Sequence, residues 1–332
     1  MSTTTTTVGI IGLGNLGFAM SRNLMARGHR VIGYRRSIMT EFEAAGGIPA
    51  ASPREVAVRT DLVVISLPSG AALADVCAGP RGILAAARPG LAVFELSTVP
   101  LEAKLAEKAK FDAAGMVLLD GTVSGNPVYF AQRTAAVFIG GDRATFDTHA
   151  ATLRDMTDKV TWLGPFGAGR VAKFVALYLV CAHTLAAAEA FELATRAGLD
   201  RHAMFEAIAG SNASSAMLES RGALMLDRDY SSFSQDKESR VEARAADADE
   251  KDKAAPLRGM ASRVRQVARL TDFAHALGGN YPLLDAMNAA YGEAVAAGVG
   301  RYDIAEVFEH LMGAEAEPAD IARVLELLAR GG

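Results

Sequence analysis

Val8-Gly-Ile-Ile-Gly-Leu-Gly-Asn-Leu-Gly17, followed by Phe18-Ala-Met-Ser-Arg-Asn-Leu-Met25, is the stretch of sequence that decides the fold. The apolar run at its start predicts a short buried strand. The apolar spacing after Gly17 predicts a helix, which Gly28 ends. The order strand, glycine-rich turn and helix is the context in which three glycines carry a meaning beyond flexibility.

The three glycines of the turn have distinct roles in a dinucleotide site. Gly12 allows a tight turn, Gly14 lets the backbone approach a pyrophosphate, and Gly17 lets the helix pack closely on the strand. In a chain with 32 glycines, an ordinary turn is the alternative. The strand and helix on either side favour a cofactor site, which also includes the intervening residues Leu13, Asn15 and Leu16.

The end of the second strand, predicted over residues 30–34, indicates which dinucleotide binds. An NAD enzyme usually ends this strand with Asp or Glu, which holds the ribose hydroxyls. Here the sequence is Tyr34, Arg35, Arg36 and Ser37. Guanidinium groups form bidentate bonds to phosphate oxygens, so this end suits a 2′-phosphate and predicts NADP(H) in preference to NAD(H). Two solvated surface arginines are the alternative.

Composition limits the classes of protein to consider. With 332 residues, of which 50% are hydrophobic, the chain can form two domains with substantial cores. A net charge of −4 gives no general attraction to nucleic acid or an anionic membrane, and neither is expected as a partner. Cys77 and Cys181 are expected to be buried free thiols, which suits a cytoplasmic protein.

Two segments resemble targeting or membrane sequences only superficially. Residues 1–7 have neither a basic start nor an apolar core, and we expect a disordered lead-in rather than a secretory signal. The apolar stretch 174–188 is shorter than the roughly 20 residues that a membrane span needs. It predicts a buried helix.

Strand and helix patterns alternate as far as about Leu163, which predicts an α/β fold with a doubly wound, Rossmann-type sheet. The predicted strands are 8–11, 31–34, 62–67, 91–94, 116–119 and 136–139. After Gly169 only helical patterns remain, beginning with a long helix over about 171–197. We therefore expect a dinucleotide-binding domain over 8–166 and an all-α C-terminal domain over 167–332. A charged stretch at 234–256 looks inserted, and its composition rarely forms core.

The segment from Asp120 to Pro127 is a candidate substrate loop. It follows an apolar strand, and ligands of open α/β sheets bind at the carboxyl ends of the strands. Ser124 can donate its hydroxyl to a carboxylate, and the amides of Gly125 and Asn126 can point at the same group. The chemistry of an ordinary turn would also explain a Gly-Asn-Pro sequence.

Lys173 is the candidate catalytic residue. It lies in the early turns of the long helix, on an otherwise apolar face that also carries Leu177 and Val180. Burial of an unpaired ammonium is costly or lowers its pKa, and such a lysine can act as general acid toward a carbonyl oxygen, or as base in reverse. The alternative is a lysine that extends to solvent from the helix start.

Together these segments resemble the β-hydroxyacid dehydrogenase family over nearly the whole chain. Residues 9–22 match its glycine fingerprint, while Leu67-Pro68 and Glu95-Leu-Ser97-Thr98 are similar to its nicotinamide-side loops. Its Asp-x-x-Val-Ser-Gly-Gly substrate motif is similar to residues 120–125. Its Gly-x-Gly-x-x-x-Lys motif is similar to residues 167–173.

The resemblance implies an oxidoreductase that interconverts a small β-hydroxy acid and its semialdehyde or keto acid. It implies that Ser124 and Gly125 bind the substrate carboxylate and that Lys173 is the acid/base. It implies that the cofactor is contacted by further residues, namely Leu67, Pro68, Thr98, Arg265 and Asp272. The last two are seven residues apart and share one helix face. A homodimer formed through the helical domain is also implied.

Departures from the family pattern leave two alternatives open. The family usually has Asn four residues after the lysine, where this chain has Leu177, and the second glycine of the substrate motif is Asn126, followed by Pro127. These changes suit a less carboxylate-specific pocket, as in related imine reductases, although those relatives generally lack the lysine. The other alternative is a protein that binds NADPH without turnover.

Overall fold

The computed structural model describes residues 5–125, 127–230, 259–300 and 303–313, together with 327 and 329. Asn126 and the charged stretch 234–256 lie outside the described residues. The chain divides into two compact units, Met1–Ala176 and Leu177–Gly332. The domain boundary predicted at residues 166/167 precedes this division and stays a prediction.

Among the described residues, eight strands form one sheet in the order β3-β2-β1-β4-β5-β6-β7-β8. The strands are β1 Thr7–Ile11, β2 Arg30–Tyr34, β3 Ile48–Pro49, β4 Leu62–Ile65, β5 Ala92–Glu95, β6 Val117–Ser124, β7 Ala136–Gly140 and β8 Lys159–Gly164. Neighbouring strands are parallel except β6 and β7. The predicted doubly wound, largely parallel sheet is confirmed. β3 and β8 were not predicted as strands.

Helices connect the strands of the first unit and continue through the second. In the first unit they are α1 Asn15–Ala26, α2 Thr40–Ala44, α3 Pro53–Arg59, α4 Gly70–Ala78, α5 Leu101–Ala113, α6 Pro127–Ala131 and α7 Arg143–Met156. The long helix α8 spans Ala168–Arg196, and it is followed by α9 Arg201–Ile208, α10 Ala216–Asp227, α11 Gly259–Ala276, α12 Pro282–Ala296 and α13 Val307–Met312. Two 3₁₀ helices span Ile83–Ala86 and Ile304–Glu306.

The start of the chain corrects the predicted lead-in. Thr7 is the first residue of β1 and pairs with Arg30 of β2. The backbone N–H of Thr6 donates to Nδ1 of the buried His29, and Nε2 of this ring lies 2.9 Å from the Asp155 carboxylate. The predicted lead-in is therefore wrong for Thr6 and Thr7, because these bonds join them to His29 and β2, while residues 1–4 lie outside the described residues.

Strand β6 is longer than predicted, and this changes the substrate segment. After Asp120 it continues to Ser124 as an antiparallel partner of β7, with Ser124 opposite Ala136. The segment 120–124 was expected to leave the sheet, but it is strand, and the loop begins only at Gly125. An antiparallel neighbour can extend a strand beyond the edge where its parallel neighbour β5 ends.

The core of the first unit covers both faces of the sheet. Ile10 and Val64 belong to one apolar cluster, while Ile11 and Val63 belong to another. Successive side chains of a strand point to opposite faces, so the near-continuous apolar runs are explained by helices on each face.

In the described residues of the second unit all elements are helical, as predicted for the C-terminal domain. The Tyr291 hydroxyl donates to the Cys181 carbonyl at 3.0 Å and ties α12 to α8. Cys77 and Cys181 are both buried and free, as expected. Among the described helices, α8 is long and apolar enough to cross a membrane by length and composition alone, a test that core helices of soluble proteins also pass.

Candidate active site

One row of residues across the sheet marks the edge where the candidate site lies. Successive pairings place Tyr34 beside Ile11, Ile11 beside Ile65, Ile65 beside Glu95, and Glu95 beside Asp120. The cofactor segments predicted in the first unit follow directly after these residues. The sheet order reverses between β1 and β4, the crevice where such folds bind ligands.

The three glycines of the turn show different packing, as their predicted roles require. Gly12 has φ +97°, and a Cβ there would lie 2.0 Å from the Ser66 carbonyl oxygen. At Gly17 a Cβ would lie 2.1 Å from the Gly12 oxygen, whereas at Gly14 it would meet nothing within 4 Å. The first and third glycines are therefore fixed by packing, while the second borders open space.

The open space at Gly14 has the features of an anion cradle. Gly14 is the N-cap of α1, and within the described chain no side chain caps this helix end. Asn15 is exposed and Leu16 partly buried, while Leu13 is buried beneath the turn. The first N–H groups of a helix lack intrahelical acceptors and lie at the positive end of its dipole. The turn therefore fits a pyrophosphate.

The end of β2 borders this turn, since the Gly12 N–H donates to the Tyr34 carbonyl at 3.0 Å. Tyr34 is partly buried. The Arg35 guanidinium donates to the Leu13 carbonyl at 3.2 Å and to the Ile38 carbonyl through Nε at 2.8 Å. Arg36 and Ser37 are exposed. The two arginines thus differ, because Arg35 binds the protein's own turn while Arg36 extends to the surface.

The loops after β4 and β5 are bonded to each other. The Leu67 N–H donates to the hydroxyl of the buried Ser97 at 2.8 Å. Pro68 and Thr98, the neighbouring predicted cofactor residues, are exposed. The structure therefore brings both predicted nicotinamide-side loops to the same edge as the glycine turn.

The end of β6 brings Ser124 and Lys173 close in the structure. The Lys173 ammonium, on the partly buried face of α8, donates to the Val123 carbonyl at 2.7 Å. Ser124 is partly buried and ends the strand, and Gly125 follows with φ +146° in an exposed position. The amine is therefore held one residue from the predicted substrate serine.

The first turn of α8 packs directly on β6. The Thr122 hydroxyl donates to the Gly169 carbonyl at 2.8 Å, and the Arg170 N–H donates to an Asp120 carboxylate oxygen at 3.1 Å. A Cβ at Gly169 would lie 2.9 Å from that carboxylate and 2.9 Å from the Phe138 carbonyl. Only glycine allows helix and strand to approach this closely.

A fully buried cluster of charges beneath this edge was not predicted. Glu95, Lys104 and Asp120 are each 0% exposed. The Lys104 ammonium lies 2.7 Å from a Glu95 oxygen and 2.8 Å from an Asp120 oxygen, and it donates to the Gly121 carbonyl at 2.7 Å. Burial raises the pKa of Glu95, although Lys104 and Ser97 oppose this shift. The cluster touches the site only through other groups.

Three predicted site residues lie in the second unit. Leu177 is buried on α8, four residues after Lys173. Arg265 and Asp272 are both exposed on α11, at the predicted spacing of one helix face. Their predicted roles stay predictions, as does that of Asn126, which lies outside the described residues.

Comparisons with known proteins show the family to which this fold belongs. Residues 7–164 match the family model for the NAD-binding domain of 6-phosphogluconate dehydrogenase. Residues 167–237 match the model for the NAD-binding region of NADP-dependent 3-hydroxyisobutyrate dehydrogenase. The chain is 32% identical to an L-threonate dehydrogenase of Cupriavidus necator over 230 residues, which are 68% of this chain and 77% of that protein.

Solved structures extend the similarity to the whole fold. A 3-hydroxyisobutyrate dehydrogenase of Salmonella typhimurium superposes with a TM-score of 0.72 at 27% identity, over 92% of this chain and 99% of that one. An imine reductase of Myxococcus stipitatus gives a TM-score of 0.57 at 18% identity, over 93% of this chain and 100% of that one, and shows the fold alone. The chain therefore belongs to the β-hydroxyacid dehydrogenase family, nicotinamide-dependent oxidoreductases that act on CH–OH groups.

Proposed function

We propose that this protein is an NADP(H)-dependent oxidoreductase that interconverts a small β-hydroxy acid and its semialdehyde or keto acid, with Lys173 as the acid/base. The observation that carries the proposal is the position of the Lys173 amine, bonded at 2.7 Å to the Val123 carbonyl, beside the strand end that carries Ser124. A family relative that acts on L-threonate and another named for 3-hydroxyisobutyrate support the substrate class.

Ser124 and Gly125 suit a carboxylate. The serine hydroxyl and the glycine N–H follow each other at the point where the strand ends, and neither belongs to the buried core. Gly125 has a positive φ, a backbone conformation that glycine adopts without steric cost. We propose that these donors, with Asn126, fix the acid group of the substrate.

Lys173 can then hold and deliver a proton. When a carbonyl substrate is reduced, its carbon gains a hydride and its oxygen gains a proton. A protonated amine can donate that proton. A bound reduced nicotinamide supplies the hydride. The bond to the Val123 carbonyl restricts the long side chain in one orientation, and this lowers the entropy lost when it meets the substrate. In the oxidation direction the neutral amine accepts the hydroxyl proton.

The preference for NADP(H) is proposed from the end of β2. Arg35 binds the Leu13 carbonyl of the turn, whereas Arg36 and Ser37 are exposed beside it. We therefore propose Arg36 and Ser37 as the donors to a 2′-phosphate, and Arg35 as the residue that fixes the loop. Tyr34, Leu67, Pro68 and Thr98 complete the proposed cofactor residues of this unit.

Substitution of Lys173 tests the proposal. Lys173→Met is compared with wild type and with Lys159→Met, a substitution of an exposed lysine at the start of β8. The assay follows NADPH absorbance with 3-hydroxyisobutyrate, L-threonate and 2-hydroxy-3-oxopropionate. We expect turnover of at least one acid or aldehyde by wild type and Lys159→Met, and a loss of about 10²- to 10⁴-fold in Lys173→Met at unchanged NADPH affinity.

The same assay tests the alternatives. The residue four positions after Lys173 is the apolar Leu177, and cyclic imines are included for this reason. Reduction of imines but not of carbonyl acids would replace the proposed substrate class. Undiminished turnover in Lys173→Met would refute the proposed role of the lysine.

We also propose a cytoplasmic homodimer. Four large apolar side chains are exposed along α8, namely Val171, Val175, Leu179 and Leu193. A long apolar helix face exposed to water favours association with a second copy. Light scattering on the purified protein should give twice the 34.8 kDa chain mass.

A further inference from the structure

The buried cluster of Glu95, Lys104 and Asp120 has a cost that stability does not readily explain. Buried ion pairs lose solvation, and well-packed apolar residues of similar volume often stabilise a fold at least as well. The cluster has two carboxylates for one ammonium, so the buried charges do not cancel, which adds to the cost of burial. Buried charges with fixed partners specify one arrangement of the chain. The role of this cluster is therefore sought in the segments that it holds in position.

One side of the cluster holds the start of the helix that carries Lys173. Of the two Asp120 oxygens, one lies 2.8 Å from the Lys104 ammonium and the other accepts the Arg170 N–H at 3.1 Å. The same ammonium donates to the Gly121 carbonyl, the next residue of β6. The anionic carboxylate lies at the helix N-terminus, where it is favoured by the dipole, and so acts as a cap supplied by a strand.

Two further bonds continue this contact along the strand. Thr122 donates to the Gly169 carbonyl and Lys173 donates to the Val123 carbonyl. Consecutive residues of β6, from Asp120 to Val123, thus bond either to the cluster or to the first turns of α8. Because the strand and the helix pack so closely at Gly169 that a side chain would not fit, α8 has little freedom to slide along β6.

The other side of the cluster holds the loops at the cofactor edge. A Glu95 oxygen accepts the Ser97 N–H at 2.8 Å, and the Ser97 hydroxyl accepts the Leu67 N–H at 2.8 Å. The cluster therefore links the ends of β4 and β5 to β6 and to α8. These are the segments that must keep a fixed distance if the lysine is to meet a carbonyl beside the cofactor.

We propose that Glu95, Lys104 and Asp120, together with Thr122, form a clamp that positions the Lys173 amine by fixing α8 against β6. Lys104 is a positioning residue in this scheme and contacts neither substrate nor cofactor. The inference rests on the proposed function of Lys173, but the clamp itself has a readout without turnover.

The test compares three clamp variants with a matched control. Lys104→Met removes the central ammonium, and Lys104→Met/Glu95→Gln also removes one of the two carboxylate charges. Thr122→Val is isosteric and breaks the bond to Gly169 without leaving a buried charge. Lys110→Met is the control. It also removes an ammonium of α5 that is paired with a buried carboxylate, here Glu107, but this pair lies outside the clamp.

We expect the clamp variants to lower kcat by about 10- to 100-fold for the acid that wild type turns over fastest, with KM and NADPH affinity within about threefold of wild type. Hydrogen exchange of the Arg170 amide should accelerate at least tenfold in the two Lys104 variants, and Lys110→Met should match wild type in both measurements. A role in stability alone would lower Tm without changing kcat of the folded enzyme.

Unchanged kcat in a folded Lys104 variant, or in Thr122→Val, overturns the proposal. Thr122→Val alone decides the question if neither Lys104 variant folds. Failure of the proposed function is separate, since it would appear as undiminished turnover in Lys173→Met, while exchange at Arg170 would still report on the clamp.

Discussion

Substitution of two glycines in the same turn separates binding of the cofactor from packing of the fold. A Cβ at Gly14 meets nothing within 4 Å, whereas one at Gly17 would lie 2.1 Å from the Gly12 carbonyl oxygen. Gly14→Ala therefore adds a methyl group to the space assigned to the pyrophosphate. Gly17→Ala adds the same group to the contact between α1 and the turn.

The expected magnitudes differ in kind. A backbone N–H bonded to a charged group contributes about 1.5–3 kcal/mol, so loss of one such bond in Gly14→Ala should raise the Kd for NADPH about 10- to 150-fold. The free energy of unfolding of cofactor-free Gly14→Ala should fall by at most about 1 kcal/mol, the difference between Gly and Ala at a helix N-cap. In Gly17→Ala the backbone must move by roughly 1 Å to restore ordinary contact, and overpacking of this kind costs about 1–3 kcal/mol. The better helix propensity of alanine offsets up to about 1 kcal/mol of that cost.

Two measurements check these values. Titration of NADPH fluorescence gives Kd, and thermal unfolding of the cofactor-free protein gives Tm. We expect Gly14→Ala to unfold within a few degrees of wild type but to bind weakly, and Gly17→Ala to unfold at a clearly lower temperature. Wild-type affinity in Gly14→Ala would refute the assignment of this space to a phosphate.

Three further predictions follow from individual contacts. Arg36→Ala should weaken NADPH binding about tenfold or more and leave NADH binding unchanged, whereas Arg35→Ala should weaken binding of both cofactors alike. If Arg36→Ala weakened NADPH and NADH binding equally, the 2′-phosphate assignment would be wrong. Hydrogen bonds from the Thr145 side chain and from its backbone N–H, the latter at 2.7 Å, hold the pKa of Asp142 below its usual range. The roughly 1 kcal/mol that this cap contributes should be present at neutral pH and be lost as pH falls through the folded pKa, and urea unfolding of Asp142→Ala and wild type at pH 7 and pH 3 measures this loss. Burial raises the pKa of Cys77, and Cys181 is also buried. A thiol reagent should therefore modify neither cysteine until the protein is unfolded. Rapid labelling of the native protein would show that the two thiols are not buried in solution.

The fold of the first unit was largely predictable because its signals are local. Parallel strands covered on both faces appear as continuous apolar runs, and most of the strands were predicted within a few residues. β3 has only two residues, too few for any pattern. The extension of β6 beyond Asp120 depends on its antiparallel partner β7, which the local sequence of the segment does not reveal.

Helix α5 shows why the charged cluster was missed. In this helix Leu105 is 49% exposed while Lys104 beside it is fully buried, the reverse of what the two residue types usually do. A buried lysine requires carboxylates from other strands, and Glu95 and Asp120 are 9 and 16 residues away in sequence. Propensity and periodicity carry no information about such partners.

The sequence by itself determined the glycine turn and the alternation of most strands and helices, because each depends on residue type and short spacing. Tertiary structure alone decided which arginine beside the turn binds the protein's own backbone, how far β6 extends, and which charges lie beneath Lys173. Those features arise where distant segments meet, and the free energy of a buried charge depends on the groups that surround it in space.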